Sequence, residues 1–294
     1  MNNHNNVVPP ILLTIAGFDP SCGAGIAADL KTFSAHNCYG IAALTALTVQ
    51  SSQGVLSTHP TPSATLRAQL DALEQDMTIA AVKIGMLANK ANAAIVAEFL
   101  DRGKFPHVVL DPVARSSSGG AELLDAVGMK FLREELLKRA TVLTPNIAEA
   151  ELLSGIEIKD LGDMKAAAQK IVELGARAVI VKGGHREKPT DVLCDGTDVV
   201  TFEGDHVKTE NTHGSGCTFA SAIAAQLACG RQLPDAVTLA KAYVTKAIEK
   251  GYAIGKGPGP LNHLYRFHLE PPARGVHEVP QHGMHPAAEP ATRS

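Results

Sequence analysis

Short, nearly all-apolar runs alternate along the chain with stretches whose apolar residues recur at helical spacing, and this alternation constrains the fold more than any other feature. The runs cover residues 11–16, 41–49, 81–84, 108–110, 142–143 and 179–181, and the helical stretches cover 26–35, 64–76, 91–100, 122–137, 148–153 and 164–174. A strand that is apolar on both sides has to be covered on both faces, the condition of a parallel sheet between helical layers. Strand-helix alternation therefore predicts a layered α/β sandwich.

After Gly183 the pattern changes. Residues 192–194 and 199–202 read as two short strands joined at Asp195-Gly196, a strong hairpin signal, and two long helices follow over 216–228 and 234–250. Residues 1–10 and 270–294 lack apolar anchors and are expected to be disordered. With 27 basic and 30 acidic residues, the net charge of -3 gives no field that would gather nucleic acid or anionic lipid, so the expected partner is a small molecule or another protein. Cys22, Cys38, Cys194, Cys217 and Cys229 are odd in number and never spaced C-x-x-C, which suggests a reducing compartment. The run 11–16 is too short for a signal sequence or membrane span, and a cytoplasmic protein is expected.

In an open α/β sheet ligands sit at the carboxyl ends of strands, so the strand-to-helix loops are where chemistry is expected. The first such loop is Gly17-Phe18-Asp19-Pro20-Ser21-Cys22-Gly23-Ala24-Gly25, with Asp29 one turn into the next helix. The second, Asp111-Pro112-Val113, offers a carboxylate that suits Mg²⁺ through water, or simply an Asp in a turn before proline. In the third, Thr144-Pro145-Asn146-Ile147-Ala148-Glu149, Asn146 and Glu149 share a helix face. That spacing serves a metal-bound phosphate or a capping box, and the two roles do not exclude each other. The fourth, Asn211-Thr212-His213-Gly214-Ser215-Gly216-Cys217-Thr218, opens a long helix whose N-terminal amides and dipole favour an anion. Cys217 in its first turn reads either as a thiol of lowered pKa that handles a proton or as a small buried hydrophobe.

Taken together and in this order, the loops resemble the ribokinase-like superfamily. Ile15-Ala16-Gly17 with Asp19-Pro20, Gly23-Ala24-Gly25-Ile26, Ala28-Asp29-Leu30-Lys31-Thr32 and Thr48-Val49-Gln50 closely resemble the hydroxymethylpyrimidine phosphate kinases. Further matching pieces are Lys83-Ile84-Gly85-Met86-Leu87, Asp111-Pro112-Val113, Leu143-Thr144-Pro145-Asn146, Val181-Lys182-Gly183-Gly184-His185 and Thr212-His213-Gly214-Ser215-Gly216-Cys217-Thr218-Phe219. Phe18, Cys22 and Ala27 depart from that pattern, in the loop nearest the substrate.

The resemblance implies a three-layer α/β/α sandwich with a mostly parallel central sheet, one kinase domain over residues 11–269, and ATP-dependent phosphorylation of hydroxymethylpyrimidine and its monophosphate in thiamin synthesis. It implies Gln50, Gly17, Asp29, Met86 and Val113 around the pyrimidine, and Cys217, Lys182, Gly214 and Gly216 at the transferred phosphate. Asn146, Glu149, Thr212 and Ser215 would face ATP, and Asp111 with Glu149 would place Mg²⁺ through water. A homodimer is implied by the resemblance alone. A pyridoxal kinase of the same fold and a non-catalytic pyrimidine sensor are the competing expectations, and the second has no use for a γ-phosphate site.

Overall fold

The computed structural model describes residues 8–115, 120, 122–184 and 189–267. Its centre is a sheet of nine strands: β1 (Ile11–Phe18), β2 (Tyr39–Ser51), β3 (Gly54–Pro60), β4 (Ile79–Ile84), β5 (Val108–Leu110), β6 (Val142–Leu143), β7 (Val179–Val181), β8 (Thr190–Cys194) and β9 (Val199–Glu203). They lie in the order β3-β2-β1-β4-β5-β6-β7-β8-β9. The stretch from β2 to β7 is parallel, while β3, β8 and β9 are antiparallel additions at the two edges. The helices are α1 (Gly25–Ala35), α2 (Ser63–Asp76), α3 (Lys90–Arg102), α4 (Ala126–Phe131), α5 (Ile147–Ser154), α6 (Leu161–Glu173), α7 (Ser215–Ala228) and α8 (Leu233–Glu249).

The apolar runs bury both faces because successive side chains point to opposite sides of the sheet. Leu13 and Ile15 of β1 join the core made with α2, α3, α5 and α6, whereas Leu12 joins the one made with α1, α7 and α8. Helix layers thus cover both faces, as expected. The chain passes from β1 outward to β2 and then returns to β4 on the other side of β1, so the strand order reverses there. Such a switch point leaves a crevice at the carboxyl ends of the two flanking strands.

Two expectations are corrected. The helix expected over 122–137 begins only at Ala126, because Asp125 caps it through a 2.6 Å bond from the Gly128 amide, while Glu122 and Leu124 make bridges to Arg115 and Ala88. It ends in a π-helical turn over Leu132–Leu136. Strand β3 was not expected: as an edge strand it is half exposed and lacks a buried apolar alternation. The expected hairpin forms, with Asp195 Oδ1 accepting from the amides of Thr197 and Asp198.

Residues 1–7 and 268–294, on which most of the expected disorder falls, and His185 of the matched Lys182-Gly-Gly-His piece lie outside the described residues. Pro10 is already tied in, its carbonyl accepting from the Tyr39 amide at 2.9 Å. No helix among the described residues is long and apolar enough to cross a membrane.

One ion pair sits wholly inside. Lys83 Nζ of β4 donates to both carboxylate oxygens of Asp29 in α1 at 2.9 Å, and neither side chain is exposed. Thr14 Oγ1 of β1 and Ser221 Oγ of α7 donate to the same carboxylate at 2.6 and 2.7 Å. Burial works against the Lys83 charge, but Asp29, with Cys217 and Asp111, holds its pKa above the ordinary lysine value. Breaking such a pair leaves an uncompensated buried charge, so Lys83→Met is expected to lose about 3–5 kcal/mol in urea unfolding. Pairing it with Asp29→Leu should recover most of that loss, and a single variant as stable as the parent would contradict the reading.

Candidate active site

A cleft at the carboxyl ends of β1 and β4 gathers residues from all four loops: Gly17, Phe18 and Asp19, then Met86, then Asp111, Val113 and Arg115, then Asn146, Glu149 and Lys182, and finally His213, Gly214, Gly216 and Cys217. Thr48, Gln50 and Val55 of the β2–β3 hairpin, Leu123, and Ala16, Ala24 and Gly25 also line it. Chain segments far apart in sequence meet here because parallel strands all deliver their following loops to one edge of the sheet.

The anion-hole candidate is the start of α7. Gly214 caps the helix at φ +85°, a left-handed conformation that glycine adopts without cost, and a Cβ there would overlap the Gly23 carbonyl. The amides of Gly214, Gly216 and Cys217 have no acceptor among the described residues, whereas the Ser215 amide donates to the Thr212 carbonyl at 3.1 Å. Three amides at the start of α7 are therefore available. The first turn of a helix leaves donors of this kind unsatisfied, and they favour an anion.

The acidic part of the cleft is partly compensated from within. Lys182 Nζ donates to Asp111 Oδ1 at 2.8 Å, and Thr144 Oγ1 donates to the same oxygen at 3.0 Å. Burial lowers the Lys182 pKa, but the Asp111 and Glu149 carboxylates raise it above its ordinary value. Glu149 forms a capping box with Asn146: its own amide donates to Asn146 Oδ1, and the Asn146 amide donates to its Oε2, both at 2.9 Å. Burial pushes the Glu149 carboxyl from 4.5 up to about 7, with Asp111 adding to the rise and Lys182 opposing it.

Two carboxylates near an anion hole, with no cluster of three metal-ligating side chains among the described residues, fit a hard cation that keeps much of its water and takes the rest of its ligands from phosphates.

At the apolar part of the cleft, Met86 and Val113 face the space beside Gln50. The Thr48 hydroxyl lies 2.9 Å from the Phe18 carbonyl and 3.2 Å from Gln50 Oε1, so it can orient the Gln50 amide.

Three expectations do not hold as made. Asp29 does not line the cleft: it is fully buried in the ion pair with Lys83, and its two oxygens already take four hydrogen bonds. Thr212 precedes the anion-hole loop and Ser215 lies within it, and neither lines the cleft. Cys217 does line it, but its pKa is raised rather than lowered. Burial pushes its pKa above the ordinary value, Lys83 opposes this, and Asp29 and Asp111 add to it.

Asp19, His213, Arg115 and Thr48 line the cleft without having been assigned roles from the sequence. Asp19, Thr48 and His213 stood in the matching segments, but nothing in them signalled that Asp19 bonds His213, 194 positions away.

The chain matches the family model described as phosphomethylpyrimidine kinase over residues 19–262. It is 43% identical over 255 residues to the hydroxymethylpyrimidine/phosphomethylpyrimidine kinase of Bacillus subtilis, covering 86% of this chain and 94% of that one. It is 44% identical over 255 residues to the thiamine biosynthesis bifunctional protein ThiED of Geobacter sulfurreducens, covering 86% of this chain and 52% of that protein. Among solved structures, the pyridoxal kinase of Staphylococcus aureus in complex with AMP-PCP and pyridoxal superposes with a TM-score of 0.81 at 35% identity, covering 88% of this chain and 96% of that one.

An acid whose pKa is raised on folding stabilises the fold below its unfolded pKa and loses that contribution as pH rises through the folded one. Wild-type melting temperature, measured without metal, should therefore fall relative to Glu149→Gln between about pH 5 and about pH 8, by the equivalent of on the order of 3 kcal/mol. Gln still caps α5, so parallel curves for the two proteins would show that Glu149 is not buried as described.

Proposed function

Because the chain belongs to the phosphomethylpyrimidine kinase family, we propose that it transfers the γ-phosphoryl group of ATP to hydroxymethylpyrimidine and then to the resulting monophosphate, in thiamin synthesis. The observation that carries this reading is that one cleft joins an apolar slot with an amide, formed by Met86, Val113 and Gln50, to the unpartnered amides of Gly214, Gly216 and Cys217. The chain is a phosphotransferase of the ribokinase-like fold, and ATP is its donor.

Phosphoryl transfer asks a protein mainly for positioning and for stabilising charge on the moving group. Gly214, Gly216 and Cys217 supply donors toward the phosphoryl oxygens, and preorganised donors of this type each lower a barrier by roughly 3–4 kcal/mol. Lys182 adds positive charge while its bond to Asp111 fixes its ammonium group. Asp111 and Glu149 would hold Mg²⁺, which would supply positive charge to offset that of the nucleotide phosphates. Asn146 holds Glu149 in place through the capping box and lines the nucleotide side of the cleft.

At the acceptor, Gly17 lets the ring approach the backbone, Met86 and Val113 cover its faces, and Gln50 matches an amine donor beside a ring-nitrogen acceptor. A pyridine bearing a hydroxyl does not present that pair. Only the alcohol substrate has a proton to lose, and in this reading the thiolate form of Cys217 takes it. With its thiol pKa raised, little of it is ionised at neutral pH.

A coupled kinase assay offering hydroxymethylpyrimidine, its monophosphate and pyridoxal in parallel tests the assignment: turnover of the first two above the third is expected, and turnover of pyridoxal alone would overturn it. Gln50→Leu should lower kcat/KM for hydroxymethylpyrimidine about tenfold or more, since an unpaired buried amine costs roughly 1–3 kcal/mol. Unchanged selectivity would remove Gln50 as the reader of the ring. For Cys217, the first transfer should accelerate from about pH 7 to about pH 9 while the second stays flat, and Cys217→Ala should depress the first far more than the second. Equal losses would leave Cys217 as packing and an amide.

A further inference from the structure

The loop that carries the anion hole is anchored by a buried pair that the chemistry above does not use. Asp19 Oδ2 accepts from His213 Nε2 at 2.8 Å, and both side chains are almost fully buried. The same carboxylate accepts from the Ser21 amide and hydroxyl at 2.8 and 2.7 Å and from the Gly23 and Ala24 amides at 3.2 and 2.9 Å. Burial alone would raise the Asp19 pKa, but these donors, His213 foremost, hold it below the ordinary carboxylate value. The carboxylate is therefore charged and accepts only, so Nε2 carries the proton.

The His213 amide donates to the Gly259 carbonyl at 3.1 Å, and Nδ1 is buried with no partner among the described residues. A Cβ at Gly23 would overlap the ring, so the first loop lies directly against it. Tolerating a buried unpaired nitrogen costs free energy, and such costs persist where the surrounding structure over-determines the geometry.

We infer that Asp19 and His213 form a positioning pair for phosphoryl transfer: by fixing His213 against the first loop, Asp19 sets the direction of the Gly214, Gly216 and Cys217 amides that follow it. The claim rests on the kinase reading above. Donor direction matters most where charge develops on the moving phosphoryl group, and a small misplacement there costs far more in rate than in ground-state binding. The pair therefore acts on kcat and leaves KM for the pyrimidine nearly unchanged. Neither residue touches the reacting atoms in this role.

The test compares His213→Phe, which fills the space without a donor, with His213→Gln, whose amide nitrogen can replace Nε2 toward Asp19. His213→Phe should lose about 100-fold in kcat for both transfers, with pyrimidine KM within about threefold, while His213→Gln recovers at least about tenfold of that loss. Binding of ADP with aluminium fluoride, a mimic of the transferring phosphoryl group, should weaken in step with kcat, and binding of ADP alone should not. Should His213→Phe fail to fold, Asp19→Asn is expected to show the same selective loss.

The inference is overturned if His213→Phe keeps kcat within about threefold, if His213→Gln is no better than His213→Phe, or if ADP and the mimic weaken equally. A wild type that turns over no pyrimidine would instead fail the kinase reading, while the paired ADP measurements would still report on the loop.

Discussion

The two glycine-rich loops touch backbone to backbone. A side chain at Gly214 would overlap the Gly23 carbonyl, and one at Gly23 would overlap the His213 ring. Contact this close is possible only without Cβ atoms, and it brings the start of α7 against the loop that follows β1. Everything else in the cleft is arranged around that contact. The β1–β4 switch point opens the crevice, α1 and α7 lie side by side on one face of the sheet, and their interior contact is secured by Asp29, Lys83 and Ser221.

Charge is managed in two layers. The inner layer, Asp29 with Lys83, is fully buried and takes hydroxyl donors from β1 and α7, so it can serve the fold but cannot reach a ligand. The outer layer, Asp111 with Lys182 and Glu149, lines the cleft and is only partly compensated. Burial pushes the Glu149 carboxyl up to about 7, and Lys182 feels both Asp111 and Glu149, so this layer carries little net charge. Inner and outer layers meet at Cys217, whose thiol feels Lys83, Asp29 and Asp111 together.

Much of this was legible in the sequence because the signals were local. Apolar runs gave the strands at β5, β6 and β7 to the residue, and Asn146 three before Glu149 gave the capping box. The edge strand β3 was not legible, since a half-exposed strand carries no buried alternation. Asp29 was misplaced because a carboxylate one turn into a helix looks the same whether it faces a cleft or a lysine on a strand 54 residues away. For Cys217, helix position argues for a lowered pKa and burial argues for a raised one; only the fold shows that burial wins. The Asp19–His213 bond spans 194 residues and leaves no trace in either segment.

The account stands on one geometric claim: that the start of α7 receives the transferred phosphoryl group while the Gln50, Met86 and Val113 slot holds its acceptor. A crystal structure with Mg²⁺, a non-hydrolysable ATP analogue and hydroxymethylpyrimidine tests it most directly. The account predicts γ-phosphate oxygens within hydrogen-bond distance of the Gly214, Gly216 and Cys217 amides, with the pyrimidine amine on Gln50 and its hydroxymethyl oxygen beside Cys217. A γ-phosphate held elsewhere, or a ring turned away from Gln50 in that complex, would contradict it.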